Sequence, residues 1–144
     1  MNGILFTDGK KNLTLDIAGY EFPHPANEED AEWLTVVLRY ADDSGAWTHR
    51  DNCLRAYELQ WLMEQIDAVL AGTENRACSD FLEPYLKLSA ERNGEDCTVR
   101  IRYVHDRTAV YEITEKTDLS RLREINEKLK AYAGRFPSGR TKTE

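Results

Sequence analysis

The stretch "EWLTVVLRYA", residues 32–41, decides how the rest of the chain is read. A strand turns successive side chains to opposite faces. Here Leu34, Val36, Leu38 and Tyr40 share one face, and Trp33, Thr35, Val37 and Arg39 the other. Tryptophan, valine and tyrosine suit a pleated surface, and apolar residues on both faces predict a strand covered on both sides, in the middle of a sheet.

Working towards the N-terminus, "NLTLDIAGYEF" (12–22) alternates Leu13, Leu15 and Ile17 with Thr14, Asp16 and Ala18, the period of a half-buried strand. The Asp8-Gly9 pair ahead of it is a tight-turn dipeptide, so "GILF" (3–6) pairs back as a short first strand. Between the two longer strands, "FPHPANEEDAE" (22–32) carries two prolines and a run of acids and predicts a loop.

On the other side, "DDSG" (42–45) turns the chain into "AWTHR" (46–50), a shorter strand. Asp51 or Asn52 is then expected to cap a helix over Cys53–Ala71, with Leu54, Leu59, Leu62, Ile66, Val69 and Leu70 on one side and Gly72 as its stop. Three strand candidates follow: "FLEPYLKLS" (81–89), "CTVRIRYV" (97–104) and "AVYEITEK" (109–116). The first carries Glu83 and Pro84 in its middle, which reads as a bulge, because proline lacks the donor a ladder needs. Asp118 can cap a last helix with Leu119, Leu122, Ile125, Leu129 and Tyr132 as its stripe, ending at Gly134. The expected architecture is therefore α+β, an antiparallel sheet of six to seven strands with two helices packed on it in the order (β)βββαβββα. Residues 1–134 form the single domain, and 135–144 a loose tail.

The bulk numbers bound what such a domain can do. At 144 residues and 41% apolar content it can bury one core. The start carries no secretory pattern and no run long enough to span a bilayer, which predicts a cytoplasmic protein with no membrane contact. Cys53, Cys78 and Cys97 form no CxxC pair, which fits reduced thiols and leaves no metal motif. Gly-rich nucleotide loops, zinc-protease motifs and nucleophile elbows do not occur, so no cofactor is expected. His24, His49 and His105 are scattered. Cys53 at a helix start with His49 nearby is the one arrangement that could make a nucleophile and base, against the ordinary use of a buried free cysteine as a small apolar residue.

Charge carries more information. The formal net charge is -7. Residues 21–45 hold seven acids against Arg39 alone, while residues 116–142 hold eight bases against three acids. The overall charge repels phosphate and argues against nucleic acid as a partner. An acidic surface suits a basic protein instead, since opposite potentials steer association.

The order of the segments adds a resemblance. "LDIAGYEFP" (15–23), "EWLTVVLRY" (32–40), "GAW" (45–47), "NCLRAYELQWL" (52–62) and "FLEPYLKL" (81–88) together resemble the WapI family of bacterial immunity proteins. The matching anchors are Tyr20, Phe22 and Pro23; Trp33 and Leu34; Cys53 and Leu54; Glu58 and Leu59; and Phe81 to Pro84, within residues 13–104. Glu32 and Asn52 depart from the family's asparagine and proline at those points. The resemblance implies a non-enzymatic antidote that binds and blocks the C-terminal toxin domain of a secreted or contact-dependent polymorphic toxin, a nuclease in the type member. Glu28, Glu29, Asp30, Glu32, Asp42 and Asp43, in loops beside the central strand, are the expected partner-binding residues. The alternative is a small non-catalytic regulatory or structural protein that self-associates as a homodimer.

Overall fold

The computed structural model describes residues 3–79 and 81–140. In chain order the elements are β1 (Ile4–Thr7), β2 (Asn12–Tyr20), β3 (Trp33–Asp42), β4 (Gly45–Arg55), α1 (Ala56–Ala71), β5 (Arg76–Cys78), β6 (Leu86–Asn93), β7 (Asp96–His105), β8 (Ala109–Asp118) and α2 (Leu119–Arg135). The class is α+β, as expected. The strands form two four-stranded antiparallel sheets, β1-β2-β3-β4 and β5-β6-β7-β8, which corrects the single sheet of six to seven strands.

The reason for two sheets lies where β1 runs beside β8. A continuous sheet would need ladder bonds there, but side chains take them. The Thr7 amide donates to Glu115 Oε1 at 3.0 Å, Arg121 donates from Nη2 to the Leu5 carbonyl, and Arg121 Nε closes on Glu115 Oε2 at 2.8 Å. Each half of the chain is thus a four-stranded meander whose last strand runs straight into a helix, Arg55 into Ala56 and Asp118 into Leu119.

Registers fix the inner faces. Leu38 lies between Leu15 and His49 in the first sheet, and Ile101 between Leu88 and Ile113 in the second. Buried residues of both sheets and both helices form one contiguous cluster. Leu59, Leu62, Ile66 and Val69 of α1 and Leu122, Ile125, Leu129 and Tyr132 of α2 enter it, each leucine, isoleucine or valine side chain stabilising by roughly 1.5–3 kcal/mol. The two helices pack on each other, and Asp67 joins them by accepting from Asn126 Nδ2 and Lys130 Nζ, both at 2.8 Å.

Two boundaries differ from expectation. Cys53 and Leu54 continue β4, opposite the start of β3, and α1 begins only at Ala56, because both residues are buried by the sheet before the chain turns helical. Phe81 to Tyr85 form a turn, with β6 starting at Leu86, so Glu83 and Pro84 interrupt no ladder. Proline's missing donor costs nothing in a turn. Gly72 does end α1 in the left-handed conformation (φ 81°), and Asp118 caps α2 by accepting from the Arg121 amide at 2.9 Å.

Past α2 the chain folds back on residues 20–32. The Pro137 carbonyl accepts from the Tyr20 hydroxyl at 2.7 Å, and the Arg140 guanidinium sits 3.5 Å over the Tyr20 ring while donating to the carbonyls of Phe22, Pro23 and Ala31. Of the tail expected to be loose, residues 141–144 lie outside the described residues.

Candidate partner-binding site

The start of α1 is built around two glutamates. Glu58, 1% exposed, accepts from the Arg55 amide (3.0 Å), from Arg55 Nη2 (3.0 Å) and from the Leu82 amide (2.7 Å). A carboxylate with three donors can be buried where an unpaired one could not. It holds the turn at 81–85 against the first turn of the helix. Glu32, 7% exposed, accepts from the Tyr57 amide (3.1 Å), the Ser138 hydroxyl (2.7 Å) and the Gly139 amide (2.9 Å). Both acids lie at a helix N-terminus, where unpaired amides and the helix dipole favour negative charge.

Arg55 is held between Glu58 and Glu29. Its guanidinium pairs with Glu58 and, at 3.4 Å, with Glu29, and lies 4.4 Å over the Tyr57 ring. The Glu58 hydrogen bond raises its already high pKa, so it is a fixed cation whose charge is already matched.

Two open grooves flank this arrangement. One, of about 600 Å³, is lined by Glu28, Glu29, Glu32, Tyr57 and the 138–140 segment. The other, of about 680 Å³, runs along α1 past Glu58, Trp61, Glu64 and Gln65 to Glu74, Arg76 and Phe81. Tyr57 and Trp61, one helical turn apart with rings 4.9 Å between centroids, form the ridge that joins them.

The six acids expected to bind a partner are not one patch. Glu28, Glu29 and Asp30 lie together before β3, with Asp30 held in a 3₁₀ turn by Asn27. Glu32 is beside them but is buried and bonded within the molecule. Asp42 and Asp43 sit at the far end of β3, roughly 30 Å away at about 3.3 Å per residue. There Asp42 accepts from the Tyr40 hydroxyl and the Ser44 amide, building the β3–β4 turn.

Cys53 is buried in β4, and burial pushes its thiol well above the usual range, opposite to what a nucleophile needs. His49 points into an aromatic cluster: its ring stacks on His105 at 3.9 Å, and its Nε2 lies 2.8 Å from the Tyr111 hydroxyl. Tyr103 completes the network, donating to Asp51 at 2.8 Å and lying 3.0 Å from His105 Nδ1. Among the described residues no group of three or more histidine, cysteine and acidic side chains could hold a metal ion, and no helix is long and apolar enough to cross a membrane.

The immunity protein WapI-like family model matches residues 4–137. The chain belongs to that family. Membership covers nearly the whole fold, both ββββα halves included, and extends beyond the 13–104 segment that carries the sequence resemblance. No curated protein and no solved structure matches the chain. The family assignment suggests toxin immunity and a non-enzymatic role, and it implies a toxin partner.

Tyr57, Trp61 and Leu82 are not among the residues expected from sequence to bind a partner. Trp61 and Leu82 are 54% and 60% exposed, high values for large apolar side chains. Only Trp61 left a signal in the sequence, as a tryptophan off the buried stripe of α1.

Proposed function

We propose that this chain is an immunity protein that binds the C-terminal toxin domain of a secreted or contact-delivered toxin and neutralises it by occlusion. The observation that carries this reading is the family match over residues 4–137. The toxin domain is basic and the target class a nuclease, since Glu28 and Glu29, exposed at one groove with the half-buried Asp30 next to them, suit a positively charged partner and raise its association rate. The protein does this in the cytoplasm, without a cofactor and without bond-breaking of its own.

Co-expression with the toxin domain encoded next to it tests the reading. Growth rescue and co-purification are expected, and reversing Glu28, Glu29 and Asp30 to lysine should weaken capture while leaving the melting temperature nearly unchanged. A toxin that still kills, and is not captured by the folded wild-type protein, would remove immunity as the function.

Self-association has one feature in its favour. β4 ends its sheet, pairing with β3 on one side, and an end strand is a template for a second chain. Sedimentation as a monomer at a protein concentration of about 50 μM would dispose of it.

A further inference from the structure

We infer that the docking surface is the ridge of Tyr57 and Trp61 with the neighbouring Phe81–Leu82 turn, and that its occupant is a basic segment of the partner protein presenting an aromatic or branched apolar side chain flanked by lysine or arginine. The inference rests on the immunity reading for the identity of the partner, but the surface itself is read from shape and charge.

The shape is that of a binding hot spot. Trp61 and Leu82 are the two most exposed of the large apolar side chains among the described residues, and both lie next to Glu58: Trp61 one turn along α1, Leu82 through its amide bond to the carboxylate. Trp61 and Phe81 line the same groove, with Leu82 next along the chain, and apolar side chains gathered within a polar rim mark interaction sites where single scattered ones do not. Tryptophan and tyrosine are the residues most enriched where truncation costs binding most. The backbone beneath is fixed, because Glu58 clamps the turn to the helix and Glu32 clamps the loop and the 138–139 segment to the Tyr57 amide. A surface held this way loses little freedom on binding.

The charge selects the partner. Of the carboxylates lining the two grooves, Glu32 and Glu58 are buried and bonded within the molecule and Glu29 pairs with Arg55, which leaves Glu28, Glu64 and Glu74 facing the openings beside the guanidinium groups of Arg76 and Arg140. Both cations are engaged, Arg76 with Glu91 at 3.7 Å and Arg140 with three backbone carbonyls and the Tyr20 ring. Glu28, Glu64 and Glu74 are exposed at the rim, and among the described residues none of them forms an ion pair. An acidic rim around an apolar centre is matched by a cationic rim around an apolar protrusion.

The experiment measures the dissociation constant of the neighbouring toxin domain for the wild-type chain, for Trp61→Ala, for Leu82→Ala and for the double reversal Asp42→Lys and Asp43→Lys, each checked for an unchanged melting temperature. Trp61→Ala should weaken binding by about 30-fold or more, and Leu82→Ala by about 5- to 10-fold, while the Asp42 and Asp43 reversal should change it less than about 3-fold. Amide exchange on binding should slow across residues 57–65 and 81–85. If wild type binds and protects growth but Trp61→Ala and Leu82→Ala bind as tightly, the surface is wrong and the immunity reading stands. If wild type neither binds nor protects, both are overturned.

Discussion

Oε2 of Glu58 accepts a 2.7 Å hydrogen bond from the amide of Leu82, tying the first turn of α1 to a turn that follows 24 residues later. The same oxygen holds Arg55 Nη2 at 3.0 Å. One buried carboxylate therefore sets both the helix start and the position of an exposed leucine.

Glu58→Ala should lower stability by about 3 kcal/mol, because it strands two amide donors and leaves Arg55 without its main counter-charge. Glu58→Gln, which keeps an acceptor, should cost less. Urea midpoints measure both, and faster exchange of the Leu82 amide in Glu58→Ala would tie the loss to this bond. Equal midpoints for wild type and Glu58→Ala would contradict the anchor.

The stacked histidines predict how stability depends on pH. Burial, and then the neighbouring His105, hold the His49 pKa below its ordinary 6.5. Between the lowered folded value and 6.5 the unfolded chain binds more protons, so stability falls as the pH drops through 6.5 and below. The urea midpoint of wild type should decline between about pH 7 and pH 5.5, and His49→Gln should decline less over that window. Parallel profiles would show that His49 does not carry the dependence.

The β7–β8 hairpin turns on Asp106 and Arg107, both left-handed, at φ 52° and 64°, with the Thr108 amide donating to the His105 carbonyl at 3.1 Å. Two positive φ values suit asparagine and glycine in such a turn, and arginine there is strained. Arg107→Gly should therefore raise stability by about 1 kcal/mol in a thermal or urea melt. A drop would mean that the Arg107 side chain makes up for its backbone.

Stopping the chain after Arg135 should destabilise it by about 2–3 kcal/mol, since Glu32 then loses the Ser138 and Gly139 donors while still buried, and Tyr20 loses Pro137 and Arg140. A melting temperature equal to that of the full chain would show that residues 136–140 dock without contributing.

Much of this fold was legible. The alternation in 12–20, 33–42 and 96–105 gave strands, Gly72 and Asp118 marked helix ends, and the apolar spacing of α1 and α2 was plain. The division into two sheets was not, because it depends on side chains 108 and 116 residues apart in sequence, Thr7 with Glu115 and Leu5 with Arg121. β5 was also missed, being three residues with Ala77 alone facing inward. The site was half legible. Glu28, Glu29 and Asp30 stand where an acidic loop belongs, but a glutamate is read as surface by default. Nothing local distinguished Glu32 and Glu58, which are interior, from the acids around them. The one hint was positional, since Glu58–Leu59 and Phe81–Pro84 are anchors of the family resemblance, and the bond between Glu58 and Leu82 joins them.

The way Arg140 is pinned over Tyr20 has a practical outcome for anyone preparing this protein. A label attached directly after Arg140 would begin at the groove that Arg140 lines with Glu28 and Glu29, and would shade the face proposed for a toxin. Inserting the label in the hairpin between Asp42 and Gly45, a full strand length distant, keeps that approach open.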